Sequence, residues 1–162
     1  MDQNKGFGLL EIVIATSIIS GTIFSLSYVF LISNKLAAES SNKVRANFLA
    51  EEGLEALRLL RDSSWSSNLS GLNTSTTYYL SFNTAASAWS IGTAYPGFIG
   101  SIFDRTVTVE NVNRDPANDN IVSSGGTNDP DTRKFNVSVA WSERAGTTTV
   151  TVSTYLTDMF DN

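Results

Sequence analysis

The chain has no cysteine and no histidine among its 162 residues. The first absence rules out a disulfide framework, the usual staple of small extracytoplasmic domains. The second rules out histidine-based triads and imidazole pH switches, and the two together rule out zinc sites built on Cys and His. Charge is sparse, at 17% of residues, and its balance is −5. An acidic chain is poorly suited to broad electrostatic binding of nucleic acid, so none is expected as a partner. The sequence also offers no phosphate-binding loop and no nucleophile–base pair. It reads as a protein that is not an enzyme, with no cofactor.

What is present is a long apolar stretch. From Ile12 to Ile32 there is neither a charge nor a proline. About 20 apolar residues suffice to cross a bilayer as a helix. One carboxylate, Glu11, stands at the front of this run. An ionised acid in hydrocarbon costs roughly 2.5–3.5 kcal/mol, so it is expected to have a role and a partner. An ordinary secretory signal is a poor match. A single Lys5 precedes the run, the run is too long, and no small-residue cleavage site follows it.

Gly6, Phe7 and Glu11, followed directly by the apolar run, resemble the prepilin signal of type IV pilins and of the pseudopilins of type II secretion. The resemblance implies a leader of residues 1–6, cleavage between Gly6 and Phe7 by a membrane prepilin peptidase, and N-methylation of Phe7 by the same enzyme. Glu11 then falls at the fifth mature position. There it would pair with the Phe7 amine of a neighbouring subunit, which removes the cost of a buried lone carboxylate. Asp2 and Lys5 cancel in the leader, so the mature chain keeps its charge of −5.

The family also implies a fold: α+β and pilin-like, a long N-terminal helix packed on a C-terminal antiparallel sheet. Other pilin subunits, the peptidase and the membrane are the implied partners. The implied location is the inner membrane, single-pass with the N-terminus inside, and then an extracellular pilus or a periplasmic pseudopilus. Major pilins carry a helix-kinking proline about 22 residues into the mature chain, where this sequence has Tyr28. That departure points to a minor pilin, with a pseudopilin of a secretion or DNA-uptake machine as the alternative. A membrane-anchored adhesin that never polymerises is a third reading.

The remaining chain divides by pattern. Ser17, Gly21 and Ser25 recur every four residues and put small side chains on one face of the membrane helix, as close helix packing in lipid requires. Residues 7–32 are read as the membrane or filament-core helix and 33–62 as its amphipathic extension. Leu36, Ser40, Val44 and Phe48 mark one face of that extension, and Leu54, Leu57 and Leu60 an apolar stripe further on. The helix would run to about Arg61, roughly 80 Å at 1.5 Å per residue. Residues 63–162 form a variable connector and the sheet. Strands are predicted over 76–82, 88–91, 103–112, 133–142 and 147–157, with Phe135, Val137, Val139 and Trp141 on a buried face. Residues 143–146 make a hairpin loop. The end of the chain, residues 147–160, resembles more loosely the C-terminal strand of a minor-pilin family associated with pilus modification.

Two clusters invite other chemistry. Asp115, Asp119, Asp129 and Asp131 lie in the stretch 111–131, which reads as a loop. Crowded hard oxygens suit calcium, but Asp, Asn and Gly also simply form loops, and the spacing fits no EF-hand. The reading is no metal site, with these four as the weak candidates. Arg105, Arg114, Arg133, Lys134 and Arg144 fall in the sheet region, interspersed with acids. Ser40 and Lys43 fit the spacing S-x-x-K, yet the segment reads as a helix face and the companion motifs are missing.

Overall fold

The computed structural model describes residues 8–144 and 146–160. Helix α1 runs from Leu9 to Ser63 without a break, and a single turn, α2, follows over Trp65–Asn68. Ser63 and Ser64 stop α1 as their residue type suggests. Ser64 then caps α2, its hydroxyl accepting the Ser67 N–H at 3.3 Å.

The chain divides into two compact units at Asn42. The first is helical, and all its described residues up to Ala38 are exposed. This is the part of α1 long and apolar enough to cross a membrane.

The second unit begins at Lys43 and contains the rest of α1 and all the strands. Strands β1 (Tyr79–Asn83) and β2 (Ala88–Gly92) form a hairpin. Strands β3 (Asp104–Arg114), β4 (Ile121–Val122), β5 (Thr127–Glu143) and β6 (Gly146–Thr157) form an antiparallel sheet in the order β4-β3-β5-β6. A two-way bridge between Tyr78 and Val107, at 2.9 and 2.8 Å, ties the start of the hairpin to β3.

Period-two alternation decides the core. Phe103, Val107 and Val109 share an inner face with Phe135, Val137, Val139 and Trp141, all of them buried. Phe103 and Trp141 meet edge to face with centroids 5.9 Å apart.

The helix meets this sheet through the expected stripe at Leu57 and Leu60, with Leu54 partly buried, but through a different face before it. Val44 and Phe48 are exposed, as is Leu36 in the first unit. Ala46, Ala50 and Gly53 are buried instead, in line with Leu57 and Leu60. Their spacing of four, three, four and three is a helical stripe whose first three members are small. Small residues are needed there because the backbone comes close. A Cβ on Gly53 would lie 2.8 Å from Val137 Cγ1 and 3.3 Å from Arg105 Cδ.

The stretch 111–131 is also corrected. About half of it is strand: β3 continues to Arg114, β4 pairs with its end, and β5 starts at Thr127. The register shifts between Asn111, opposite Arg133, and Val112, opposite Asp129. The extra residues on β5 include Pro130, which lacks a ladder donor and is tolerated at such a bulge.

Candidate functional site

Gly6 and Phe7 lie outside the described residues. Glu11 sits in the first turn of α1, its N–H bonded to the Gly8 carbonyl at 2.9 Å. A carboxylate there faces the positive end of the helix dipole. Its side chain is exposed, as are those around it, and it is the sole charged side chain between Gly8 and Asn34.

Four hydroxyls of this segment are satisfied within the helix. Ser17 donates to the Val13 carbonyl at 2.7 Å and Ser25 to the Gly21 carbonyl at 2.9 Å. Thr16 and Thr22 bond back in the same way, to Ile12 or Val13 and to Ile19. Such bonds let polar side chains enter an apolar medium without a lost partner. Ser17, Gly21 and Ser25 come out on one face. Gly21 and Ser25 floor a shallow groove between Ile18 and Leu26. A Cβ on Gly21 would meet nothing within 4 Å. The face is thus narrow, smooth and open to a neighbouring helix.

The acidic candidates surround an arginine. Arg114 Nε lies 2.6 Å from Asp129 Oδ2 and 4.0 Å from Asp119 Oδ1, and its fork donates to the Asp119 carbonyl at 3.0 Å and to Thr132 Oγ1 at 3.3 Å. Asp115 accepts the Ala117 N–H at 2.9 Å, and Asp129 Oδ1 accepts the Asp131 N–H at 3.0 Å. These carboxylates shape turns and bind Arg114. Among the described residues, no three acidic side chains converge on a point where an ion would sit. The cleft they line, with Asp131 and Asp158, holds about 560 Å³ and is open to solvent. Gly126 closes the neighbouring turn at a φ of 73°, where a Cβ would stand 2.5 Å from the Arg114 carbonyl oxygen.

Burial pushes the Asp129 carboxyl up. The Arg114, Thr132 and Asp131 hydrogen bonds outweigh it, so the group is held below its ordinary value. A depressed carboxylate stabilises the fold fully above its unfolded pKa, and the contribution disappears as the pH falls through the folded value. Asp129→Asn is therefore expected to cost about 1–2 kcal/mol at pH 7. The gap between wild type and variant should be constant from pH 7 to 5 and shrink below about pH 4. Urea unfolding of the full chain in detergent at pH 7, 5 and 3 checks this. A gap that does not change with pH would remove the charge from the explanation.

The basic residues do not make a patch. Arg114 is held in the cleft. Lys134 pairs with Glu110 at 3.1 Å. That bond, followed by one from Asn136, keeps the Glu110 carboxyl below its usual range. Arg133 donates to Asn111 and to the Ser70 carbonyl. Arg105 is 6% exposed. Arg144, in the turn before β6, is exposed.

No family model, curated protein or solved structure matches this chain.

The sequence signals neither Gly53 nor Arg105 as a packing residue. Glycine is a poor helix former, yet Gly53 stands where the helix comes close to the sheet. Arg105, one of the five basic residues of the sheet region, is buried. Its place in β3, two residues before Val107 and four before Val109, already set it on the inner face. It reaches Glu52 Oε2 at 2.6 Å and the Leu49 carbonyl at 3.1 Å, and stacks over the Trp89 ring at 5.3 Å.

Proposed function

We propose that the chain is a structural subunit of a type IV pilus, a minor pilin, made as a membrane-held prepilin and assembled through its N-terminal helix. The single observation that carries this reading is Glu11. It stands alone among apolar residues, at the fifth position after the Gly6–Phe7 junction, at the front of an unbroken helix. A lone carboxylate in that setting gains from a cationic partner. A processed Phe7 amine on an adjacent subunit is such a partner.

Three further features support the reading. The small-residue face at Ser17, Gly21 and Ser25 suits close approach of parallel helices. The back-bonded hydroxyls suit an apolar surround. The helix continues into a segment that packs on an antiparallel sheet, an architecture that gives a filament core and a folded head. In this reading the subunit catalyses nothing and needs no cofactor.

Mass spectrometry of the N-terminal peptide, from protein isolated out of its native membranes, tests the proposal. A peptide beginning at Phe7 with one extra methyl is the expected result. Glu11→Leu should leave the membrane-inserted amount unchanged and lower incorporation into filaments by about tenfold or more, which corresponds to 1.4 kcal/mol. A peptide beginning at Met1, with normal behaviour of Glu11→Leu, would overturn the proposal and leave a membrane-anchored protein that does not polymerise.

A further inference from the structure

The two edges of the four-stranded sheet are unlike. On one side the two-residue β4 covers only Asn113 and Arg114 of β3, and the rest of that edge is interrupted by the Tyr78 bridge at Val107 and carries charge at Asp104, Arg105 and Glu110. On the other side lies β6, twelve residues that pair with β5 along one flank. Its sequence from Gly146 to Thr157 has no charge and no proline. Lysines, prolines, bulges and short length are the devices that blunt an edge, and β6 has none of them.

The core is also unfinished on that side. Val137 and Val139 of β5 are fully buried, yet their β6 partners Val152 and Val150 are only partly buried. A further strand laid along β6 would cover them and satisfy the outward backbone groups of the edge.

We infer that β6 is a docking edge for a second copy of this chain, in antiparallel register about Thr151. The sequence of β6 is its own complement in that register. Val150 of one copy faces Val152 of the other on the inner side. Thr149 faces Ser153, and Thr147 faces Tyr155, on the outer side. Thr151 faces itself. Inner residues meet inner residues throughout, so Val150, Val152 and Leu156 all stay on the inner face. Cross-strand Thr–Thr and Thr–Ser pairs are favourable, and no like charges oppose one another. Arg144, just before the strand, is brought to the end of the partner strand that Asp158 follows, and this happens at both ends by symmetry.

The match of charge at both ends favours a second copy over an unrelated extended peptide. The assembly also closes. Each copy uses its β6 edge, and the charged, interrupted β3–β4 edge does not propagate the sheet. The proposal is independent of the pilus reading.

The absence of cysteine supplies a clean test with the full chain in detergent micelles. Opposed Cα atoms of an antiparallel pair are about 4.5–5.5 Å apart, within the reach of a disulfide. Thr151→Cys should cross-link to itself under mild oxidation. Thr149→Cys alone should not, because the two copies of residue 149 lie four residues apart. A mixture of Thr149→Cys and Ser153→Cys should form the mixed disulfide. Thr151→Lys sets two ammonium groups against each other at the symmetry axis. It should weaken the dimer at least about tenfold by light scattering, a loss equal to 1.4 kcal/mol. Its side chain is exposed, so circular dichroism should show the fold unchanged. A wild-type chain that remains monomeric at high micromolar concentration overturns the proposal. So does a dimer that survives Thr151→Lys, which would assign association to the apolar helix.

Discussion

Gly53→Val is expected to destabilise the sheet-containing unit by about 3 kcal/mol, a fall of roughly 10 °C in melting temperature for a domain of this size. The new Cβ alone would lie 2.8 Å from Val137 Cγ1, 3.3 Å from Arg105 Cδ and 3.5 Å from Leu80 Cδ1. Val137 cannot swing away. It is fully buried and β-branched, in the central strand β5, so its χ1 is restricted. The branched carbons of a valine at position 53 add to that overlap. Gly53→Ala tests the sign more finely. In an exposed helix the change would gain about 1 kcal/mol from propensity. Here the overlap should exceed the gain, so alanine is expected to lower stability.

Val137→Ala opens the space that position 53 needs. The double variant Gly53→Ala with Val137→Ala should be more stable than the two single effects predict, by about 1 kcal/mol or more. Thermal unfolding of the full chain in detergent, followed by tryptophan fluorescence, reads all four proteins. Trp65 and Trp141 are buried in the same core. A stabilising Gly53→Ala would show that the helix and sheet stand further apart than described.

Arg105→Ala is expected to cost about 3 kcal/mol. The guanidinium crosses from β3 to the helix, bonding Glu52 and the Leu49 carbonyl, and its plane lies over Trp89 of β2. One side chain thus joins helix, sheet and hairpin. Charge-assisted hydrogen bonds contribute about 1.5–3 kcal/mol and a partly desolvated cation–π contact about 1–2 kcal/mol, and the two are not simply additive. Arg105→Met should recover part of the loss by filling the volume. The pair is lopsided: the arginine side chain is 5% exposed and Glu52 is 51% exposed. When the arginine is removed, Glu52 rehydrates. When Glu52 is removed, the cation is left buried, its Nε already without a hydrogen bond. Glu52→Ala should therefore destabilise by more than truncation of an ordinary surface acid. Urea titrations of the three variants check the order. An Arg105→Ala protein within 0.5 kcal/mol of wild type would contradict the clamp.

Patterns of period two were legible. The face Phe135, Val137, Val139 and Trp141 is buried as the alternation demands, and each strand expected in the last third is present. The helix was legible in extent, ending at Ser63 where the serines begin. Its packing face was legible at Leu57 and Leu60 and not before them. Large apolar residues such as Val44 and Phe48 attract attention, whereas a close helix–sheet contact selects alanine and glycine, which read as neutral. The strand ends around the bulge were hidden for a related reason. Asn, Asp and Pro are loop formers by local preference, and pairing with β3 across a register shift overrides that preference. The inward place of Arg105 was written in the parity of its strand, but the residue type argued for the surface. The Gly6–Phe7 junction and Glu11 gain their meaning from a motif, and a single folded chain has no neighbour in which to display it.

Arg114 gives the acidic turn its own counterion. Aspartates gathered at one place repel and would ordinarily recruit a cation from solution. Here the cation is attached to the backbone between them. The shape of this turn is thereby inherited with the gene instead of drawn from the surrounding medium.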